Sequence, residues 1–530
     1  MILFLPPHYA LHMMIHTKPG SLLSYDLNVR FKRGLLALLV GCISLFSTSA
    51  QNHDATWILG EDNGGEDYFI EGNLIDFRVD PILIREESLY LEMHSTMASI
   101  CDSDGNLQFY TNGCKIANWR HELIENGDGI NPGEVHNIQC INETYPWRGH
   151  YTAGNQSALI IPLPGSDNIY YLFHKGIEYG ANTIPSRPFY YTLVDMAANN
   201  GHGTIIDKNV VLTEEELCFG QLTAVKHANG ADWWVFSPGA NGSNSYYRFL
   251  LTSEGVEDAQ IQEIGIASSQ DGLWANFSPD GSMYVRYEPQ SDDVFLFDFD
   301  RETGELSDFR QLVIEEEEEW WGGVAFSPSS RFLYVSSYAY LYQFDSWADD
   351  IAASRVIVGQ YQFQGTLIEQ TFWGMQLGPD CRIYVYCNSC DVIHVIQQPD
   401  EPGLACQFEQ GAIQLPWPIF RSQPYFPNYR LGPVGEEEVP CTPVVSVSSE
   451  PVRARPVVSV FPNPARDELT ISSRDYSGEW VLYDGLGRAR RRGRLRAGVP
   501  FSVAIRDLPA GLYFWRLAGA PGVGGKVVVQ

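Results

Sequence analysis

Between about residue 55 and residue 432, apolar and polar positions alternate in short runs separated by Gly, Pro, Asn and Asp. A period of two is the mark of strands with one or both faces covered, and the separating residues are turn formers. The run Trp274-Ala-Asn-Phe-Ser-Pro-Asp-Gly-Ser-Met-Tyr-Val285 is echoed by Gly323-Val-Ala-Phe-Ser-Pro-Ser-Ser-Arg-Phe-Leu-Tyr-Val335. It is echoed again by Gly374-Met-Gln-Leu-Gly-Pro-Asp-Cys-Arg-Ile-Tyr-Val385. Aligned on Phe277, Phe326 and Leu377, the steps are 49 and 51 residues. Weaker copies lie at 222–235, 157–172 and 98–110. Each copy reads as strand, turn, strand, and the fullest adds the alternating run Val294-Phe-Leu-Phe-Asp-Phe299. Three to four short strands recurring at this spacing predict propeller blades, each burying its faces against the next. Six copies, with terminal strands at about 55–80 and 412–432 closing the ring, predict about seven blades, six or eight being the alternatives.

Composition agrees with an all-β chain. Of 530 residues, 13% are aromatic and only 19% charged, with Gly and Pro plentiful; rings suit pleated surfaces, and Gly and Pro punctuate them. Charge changes the picture more. The net charge is −30, yet residues 451–530 carry 13 Lys+Arg against 6 Asp+Glu and residues 1–50 carry 4 against 1, which leaves −40 on residues 51–450. So acidic a body repels phosphate backbones and anionic lipid, so no nucleic-acid partner is expected.

At the N-terminus, Lys32-Arg33 precede an apolar run from Gly34 to Phe46, followed by Ser47-Thr-Ser-Ala50 and polar Gln51-Asn52. Positive flank, short apolar core and small-residue exit predict a secretory signal cleaved between Ala50 and Gln51, with residues 1–30 as an extension. The run is too short to be a transmembrane segment. A rival reading takes Leu39-Val-Gly-Cys42 as a lipoprotein processing site, against which the apolar core continues past the cysteine. Removal of the leader leaves nine cysteines in an oxidising compartment, so disulfide bonds are expected with one thiol left over. Cys387-Asn-Ser-Cys390 has redox or zinc-knuckle spacing, but without a second such pair a structural bridge is the better reading.

Residues 434–456 turn to Pro, Val, Ser and Glu without strand period, as a linker does. From 457 onward short alternating strands resume, split by Phe461-Pro-Asn-Pro464, Tyr483-Asp-Gly-Leu-Gly487 and Leu508-Pro-Ala-Gly511, and the chain ends in Gly525-Lys-Val-Val-Val-Gln530. These strands suffice for a small Ig-like sandwich. The domains expected are a leader with its extension (1–50), a propeller (51–433), a linker (434–456) and a C-terminal module (457–530).

The Ser-Pro-Asp-Gly turns resemble WD-like (WD40-like) and lactonase-like propeller repeats. The segments 99–112, 112–118, 126–133 and 426–432 resemble a family of secreted propellers from gliding-type, Bacteroidota-like bacteria, a likeness that implies fold and export only. The C-terminal module is similar to the type A sorting domain of the type IX secretion system (T9SS), carried by Pro462, Asn463, Pro464, Asp484, Gly487, Pro509, Gly511, Tyr513 and Lys526. That resemblance implies recognition by the type IX machinery at the outer membrane, usually with cleavage, and cargo released or held at the cell surface. The run from Arg488 to Arg496 is read as a solvated edge strand.

Chemistry is harder to find. Asp102-Ser-Asp-Gly-Asn106 has calcium-loop spacing but no following bidentate Glu, so a hairpin turn is the better reading. Glu315–Glu319 reads as an exposed loop. His94, His121, His136, His150, His174 and His202 are scattered without ligand spacing, and there is no nucleophile elbow or phosphate loop. Ser269-Gln-Asp-Gly-Leu-Trp274 sets its Trp too close for a sialidase Asp-box, and Trp233-Trp234 and Trp320-Trp321 read as core before sugar platforms. No cofactor, metal ligand or catalytic residue is assigned. The expectation is a non-catalytic propeller that binds an extracellular protein or polysaccharide; the alternative is a hydrolase or lyase acting on a carbohydrate or lactone at the central channel. An enzyme should gather carboxylates or His with shifted acidities at one channel mouth, a binding module an aromatic or polar rim.

Overall fold

The computed structural model describes residues 51–60, 70–141, 149–180, 185–240, 242–267, 274–288, 293–314, 321–363, 365, 370–435, 441, 458–473, 477–484, 488–517 and 524–530. The leader with Ala50, the Glu315–Glu319 run, Trp320, residues 269–273 and Gly487 lie outside these. The chain divides into two units, Met1–Val445 and Ser446–Gln530.

In the first unit the strands form seven antiparallel sheets in sequence order. The innermost strands of blades 2 to 7 are Ala98–Cys101, Ala158–Pro162, Thr223–Lys226, Trp274–Phe277, Gly322–Phe326 and Met375–Leu377. The echo marks one site in three successive blades, since Phe277, Phe326 and Leu377 each end an innermost strand. Four residues on, Gly281, Ser330 and Cys381 all sit in the left-handed region (φ 72°, 64° and 67°), which closes the turn to the second strand. The Tyr-Val pairs 284–285, 334–335 and 384–385 are fully buried in those second strands. Neighbours along a strand point to opposite faces, and in each pair one residue joins the central core while the other joins a core between blades. Both faces of these blades are therefore covered, as a ring requires.

Side-chain amides staple the ring where backbone ladders cannot reach. Asn73 of blade 1 exchanges two hydrogen bonds with the Trp417 backbone of blade 7. Gln262 does the same with Leu306, and Gln156 reaches across to Ala275 with both its amide atoms. Each amide mimics a peptide unit and satisfies an otherwise orphaned pair of buried backbone groups.

Blade 1 (Thr56–Gly60, Ile70–Asp76, Leu83–Leu89) runs its first strand past blade 2 in the direction of a second strand, because His53 meets Cys101 while Gly60 and the Met97 end share Ser422. The innermost position is taken by segment 422–430. Gly60 N–H donates to Ser422 Oγ (3.1 Å), Trp57 stacks on Phe426 (5.9 Å), and Arg430 pairs with Asp54. Pro424 and Pro427 have no N–H to give, so this segment closes the ring through side chains instead of a ladder. The outermost strand of blade 7, Phe408–Ile419, ends just before it.

Three disulfides are present, Cys114–Cys140, Cys381–Cys441 and Cys387–Cys390, so the CxxC spacing holds a bridge. Three thiols are left over instead of the one expected: Cys101, Cys218 and Cys406, all buried. Asp102 caps a hairpin turn, its Oδ1 accepting from Asp104 N (3.0 Å) and Asn106 N (2.8 Å).

The second unit has two facing sheets, Val458–Phe461 with Glu468–Ser473 and Phe501–Ala504, and Ala489–Leu495 with Gly478–Asp484, Gly511–Leu517 and Gly524–Val529. Leu469, Ile471, Trp480, Leu482 and Val527 fill the space between them. The arginine-rich strand Ala489–Leu495 is an edge strand with Arg490, Arg492 and Arg494 exposed. The described residues are all-β: a seven-sheet propeller and a small sandwich.

Candidate functional site: the two mouths of the channel

The closing segment also fills the channel. Tyr425 hydrogen-bonds Thr223 on blade 4 and packs against Trp274 on blade 5. Tyr429 donates to Ile160 O on blade 3 (2.7 Å) and meets the Trp233 ring edge-on. Both rings are buried, so two separate mouths remain, one at each end of the innermost strands.

The turn mouth lies where those strands end. Here a small open recess of about 50 Å³ is lined by Asn276, Phe277, Phe326, Gln376, Asn428 and the Asp54–Arg430 pair, among others. Asp54 is the one carboxylate in that lining. Both its oxygens are engaged, Oδ2 by Arg430 Nη1 at 2.8 Å and Oδ1 by Arg430 Nη2 at 2.5 Å, with both side chains 6% exposed. Asn428 donates to Pro279 O and accepts from Arg430 N, while Gln376 holds the Phe426 backbone by both amide atoms. The recess is thus a rigid cup of largely buried aromatic side chains and amides around a matched ion pair. Nearby, at the end of the blade 4 inner strand, burial pushes Lys226 down to about 8; its ammonium lies over the Trp233 ring at 4.4 Å.

The loop mouth lies where the innermost strands begin, and it receives the long connections between blades. His94 stacks on His150 (3.9 Å between centroids, 13° between planes), and His150 Nδ1 lies 3.1 Å from Glu92 Oε1. Gly149 N–H also donates to Glu92. Burial, aided by His150 and Arg421 and opposed by Glu92, pushes His94 down to about 3, so it is neutral near pH 7. Beside it stand Phe420 (5.2 Å from His94) and Arg421, whose guanidinium lies 5.6 Å from the Trp321 ring centre. Trp321 stacks on Trp373 at 4.5 Å and 10°. Gly374 lets Trp274 and Gln423 lie against the strand start, where any Cβ would collide with both.

Of the scattered histidines, the structure brings together His94 and His150. His174 is fully buried between Asn131 and Thr192, and His121 binds Tyr110 and Glu87. Trp233 and Trp234 are core, as read from the sequence, whereas Trp321 is half-buried at a mouth. Glu92, Trp373 and Arg421 carried no signal in the chain, since each lies in a different blade connection, and the echo that marks Phe277 and Phe326 as strand ends does not mark them as recess lining.

In the second unit, Asn463 binds across to the last strand, donating to Lys526 O (3.1 Å) and accepting from Val528 N (2.9 Å). Asp484 accepts from Arg488 and Arg490, and Tyr513 donates to Pro509 O (2.9 Å). Pro462, Pro464 and Gly511 border the same strands.

Among solved structures, the chain is similar to the Pseudomonas aeruginosa periplasmic gluconolactonase PpgL (13% identity, TM-score 0.39, 68% of this chain and 96% of that one). It is also similar to a putative 6-phosphogluconolactonase from Bacteroides fragilis (12%, 0.38, 69% and 97%). A third likeness is to the β-propeller domain of Myceliophteria thermophila Cps50 (Swd1) (9%, 0.34, 63% and 93%). No curated protein matches the chain. Residues 459–530 match the family model of the secretion system C-terminal sorting domain, so the last module is a sorting domain of type IX secretion and marks the chain for export to the cell surface or medium.

Proposed function

We propose that this chain is an exported, non-catalytic binding module whose propeller takes an extracellular polysaccharide at the turn-mouth recess. The observation that carries the reading is the bidentate Asp54–Arg430 pair. A carboxylate held on both oxygens by a buried guanidinium is poorly placed to trade protons, while it orders the amides and rings around it. A concave wall with a few fixed amides suits a saccharide's hydroxyls better than a flat protein surface. In this reading the leader is removed between Ala50 and Gln51, and the type IX machinery reads Pro462, Asn463, Pro464, Asp484, Gly487, Pro509, Gly511, Tyr513 and Lys526.

The test is calorimetric titration of the full chain with neutral and acidic oligosaccharides, beside Asn428→Ala and Phe326→Ala. Saccharide binding weakened by both variants supports the reading, and unchanged binding refutes it. Mass spectrometry of the culture medium tests delivery: mature chains should begin at Gln51 and lack residues 460–530. The rival reading, a hydrolase or lyase, is favoured by Lys226, an amine eased toward neutrality beside the channel. Turnover of a lactone or glycan by the parent chain, abolished by Lys226→Met, would establish it.

A further inference from the structure

Arg421 stands out in a body of charge −40. Other arginines of the propeller are matched: Arg78 with Asp76, Arg85 with Glu87, Arg331 with Asp345, Arg430 with Asp54. Among the described residues Arg421 has neither an ion pair nor a hydrogen bond, and its Nε, like that of Arg430, is buried without a partner. A buried donor left unmade costs free energy, more so on a charged group. Its backbone is left-handed too, as it is at fourteen other non-glycine positions among the described residues. Arg421 sits at φ 54°, in the left-handed region that a long side chain avoids. Such outliers persist where the surroundings impose them, and they cluster at ligand sites. The surroundings here are Phe420 and Trp321, whose rings hold the guanidinium at 5.3 and 5.6 Å, with Trp373 backing Trp321. Stacking fixes the fork in place while leaving its N–H groups free to bind.

We propose that the loop mouth is a second site, in which Arg421, held between Phe420 and Trp321, takes the oxyanion of an acidic saccharide, a uronate carboxylate or a sulfate ester. A planar fork matches either oxyanion by paired hydrogen bonds. The acidic body opposes long polyanions, but charges farther than about 8 Å are largely screened at 0.15 M salt, so a short oligosaccharide reaches the site. This goes beyond the recess, which lies at the other end of a filled channel.

The experiment titrates the full chain at 0.15 M salt with a galacturonate trisaccharide, a sulfated galactose trisaccharide and a neutral galactose trisaccharide. At least one acidic probe should bind, and whichever does so identifies the oxyanion. Arg421→Gln should weaken that binding roughly tenfold or more, the worth of a charged hydrogen bond, with Arg421→Lys retaining part of it and Trp321→Ala losing it. Absence of acidic-probe binding, equal binding of the neutral probe, or an unchanged Arg421→Gln overturns the site. Loss in Asn428→Ala but not in Arg421→Gln overturns it too, and leaves the recess reading standing. Arg421→Gly separates ligand from scaffold: it should lose the probe while melting no lower than the parent, and a lowered Tm would show that Arg421 serves the fold.

Discussion

The two mouths of the channel hold the same kinds of residue in opposite states. At the turn mouth, Arg430 and Asp54 are 6% exposed, and both Nη atoms of Arg430 are engaged by the two Asp54 oxygens. At the loop mouth, Arg421 is unpaired and left-handed, beside a histidine that burial keeps neutral. A matched buried pair belongs to the scaffold, because losing either member strands the other. An unmatched cation at an entrance does little for the fold and is free for a partner. The contrast teaches which charges of this ring to read as structure and which as site.

The largest effect should come from breaking the matched pair. Arg430→Ala leaves Asp54 charged and buried, at a cost of about 3–5 kcal/mol, read as a lower urea midpoint with unchanged slope. A loss below about 1 kcal/mol would mean that the two mouths do not differ in this way. Next comes acid. His94, held near 3 by burial, His150 and Arg421, takes up no proton on folding between its ordinary value of 6.5 and about 3, whereas the unfolded chain does. Stability is therefore fully present above pH 6.5 and falls as pH drops, by up to about 1.4 kcal/mol per pH unit for each such histidine. His174, near 3, and His394, near 4, act in the same direction, so His94→Gln should flatten the acid limb by one proton's share, not abolish it. Smaller again is Tyr429→Phe, which strips Ile160 O of its donor at a cost of about 1–3 kcal/mol.

How much of this could be read from the chain follows from how local each feature is. The blades were legible because Phe277, Phe326 and Leu377 recur with their turns and Tyr-Val pairs within a dozen residues each. The sorting domain was legible for the same reason. The closing segment was only half legible. Its residues were placed in a strand at about 412–432, but the regular strand stops at Ile419, and 422–430 pairs by side chains with blade 1, more than 360 residues away. The loop mouth was invisible as a cluster: Glu92 and His94 share one connection, but His150, Trp321, Trp373 and Arg421 come from four others, with no spacing to link them. Trp321 was read as core because paired tryptophans usually are. Ring closure, which no window of sequence reports, put it at an entrance.

The smallest expected effect is also the sharpest. If Arg421 is held for a ligand, then removing its charge should hardly touch stability: Arg421→Gln should shift the unfolding free energy by no more than about 0.5 kcal/mol, as surface changes do. Arg421→Gly should raise it by up to about 1 kcal/mol, because glycine adopts φ 54° without the strain a side chain meets there, partly offset by its greater freedom when unfolded. Urea titration of both variants beside Arg430→Ala places the two arginines on one scale. Should Arg421→Gly unfold as easily as Arg430→Ala, the unpaired guanidinium would be holding the mouth together through its two ring contacts. The distinction between a scaffold mouth and a binding mouth would then fall, because both arginines would be doing the same work by different means.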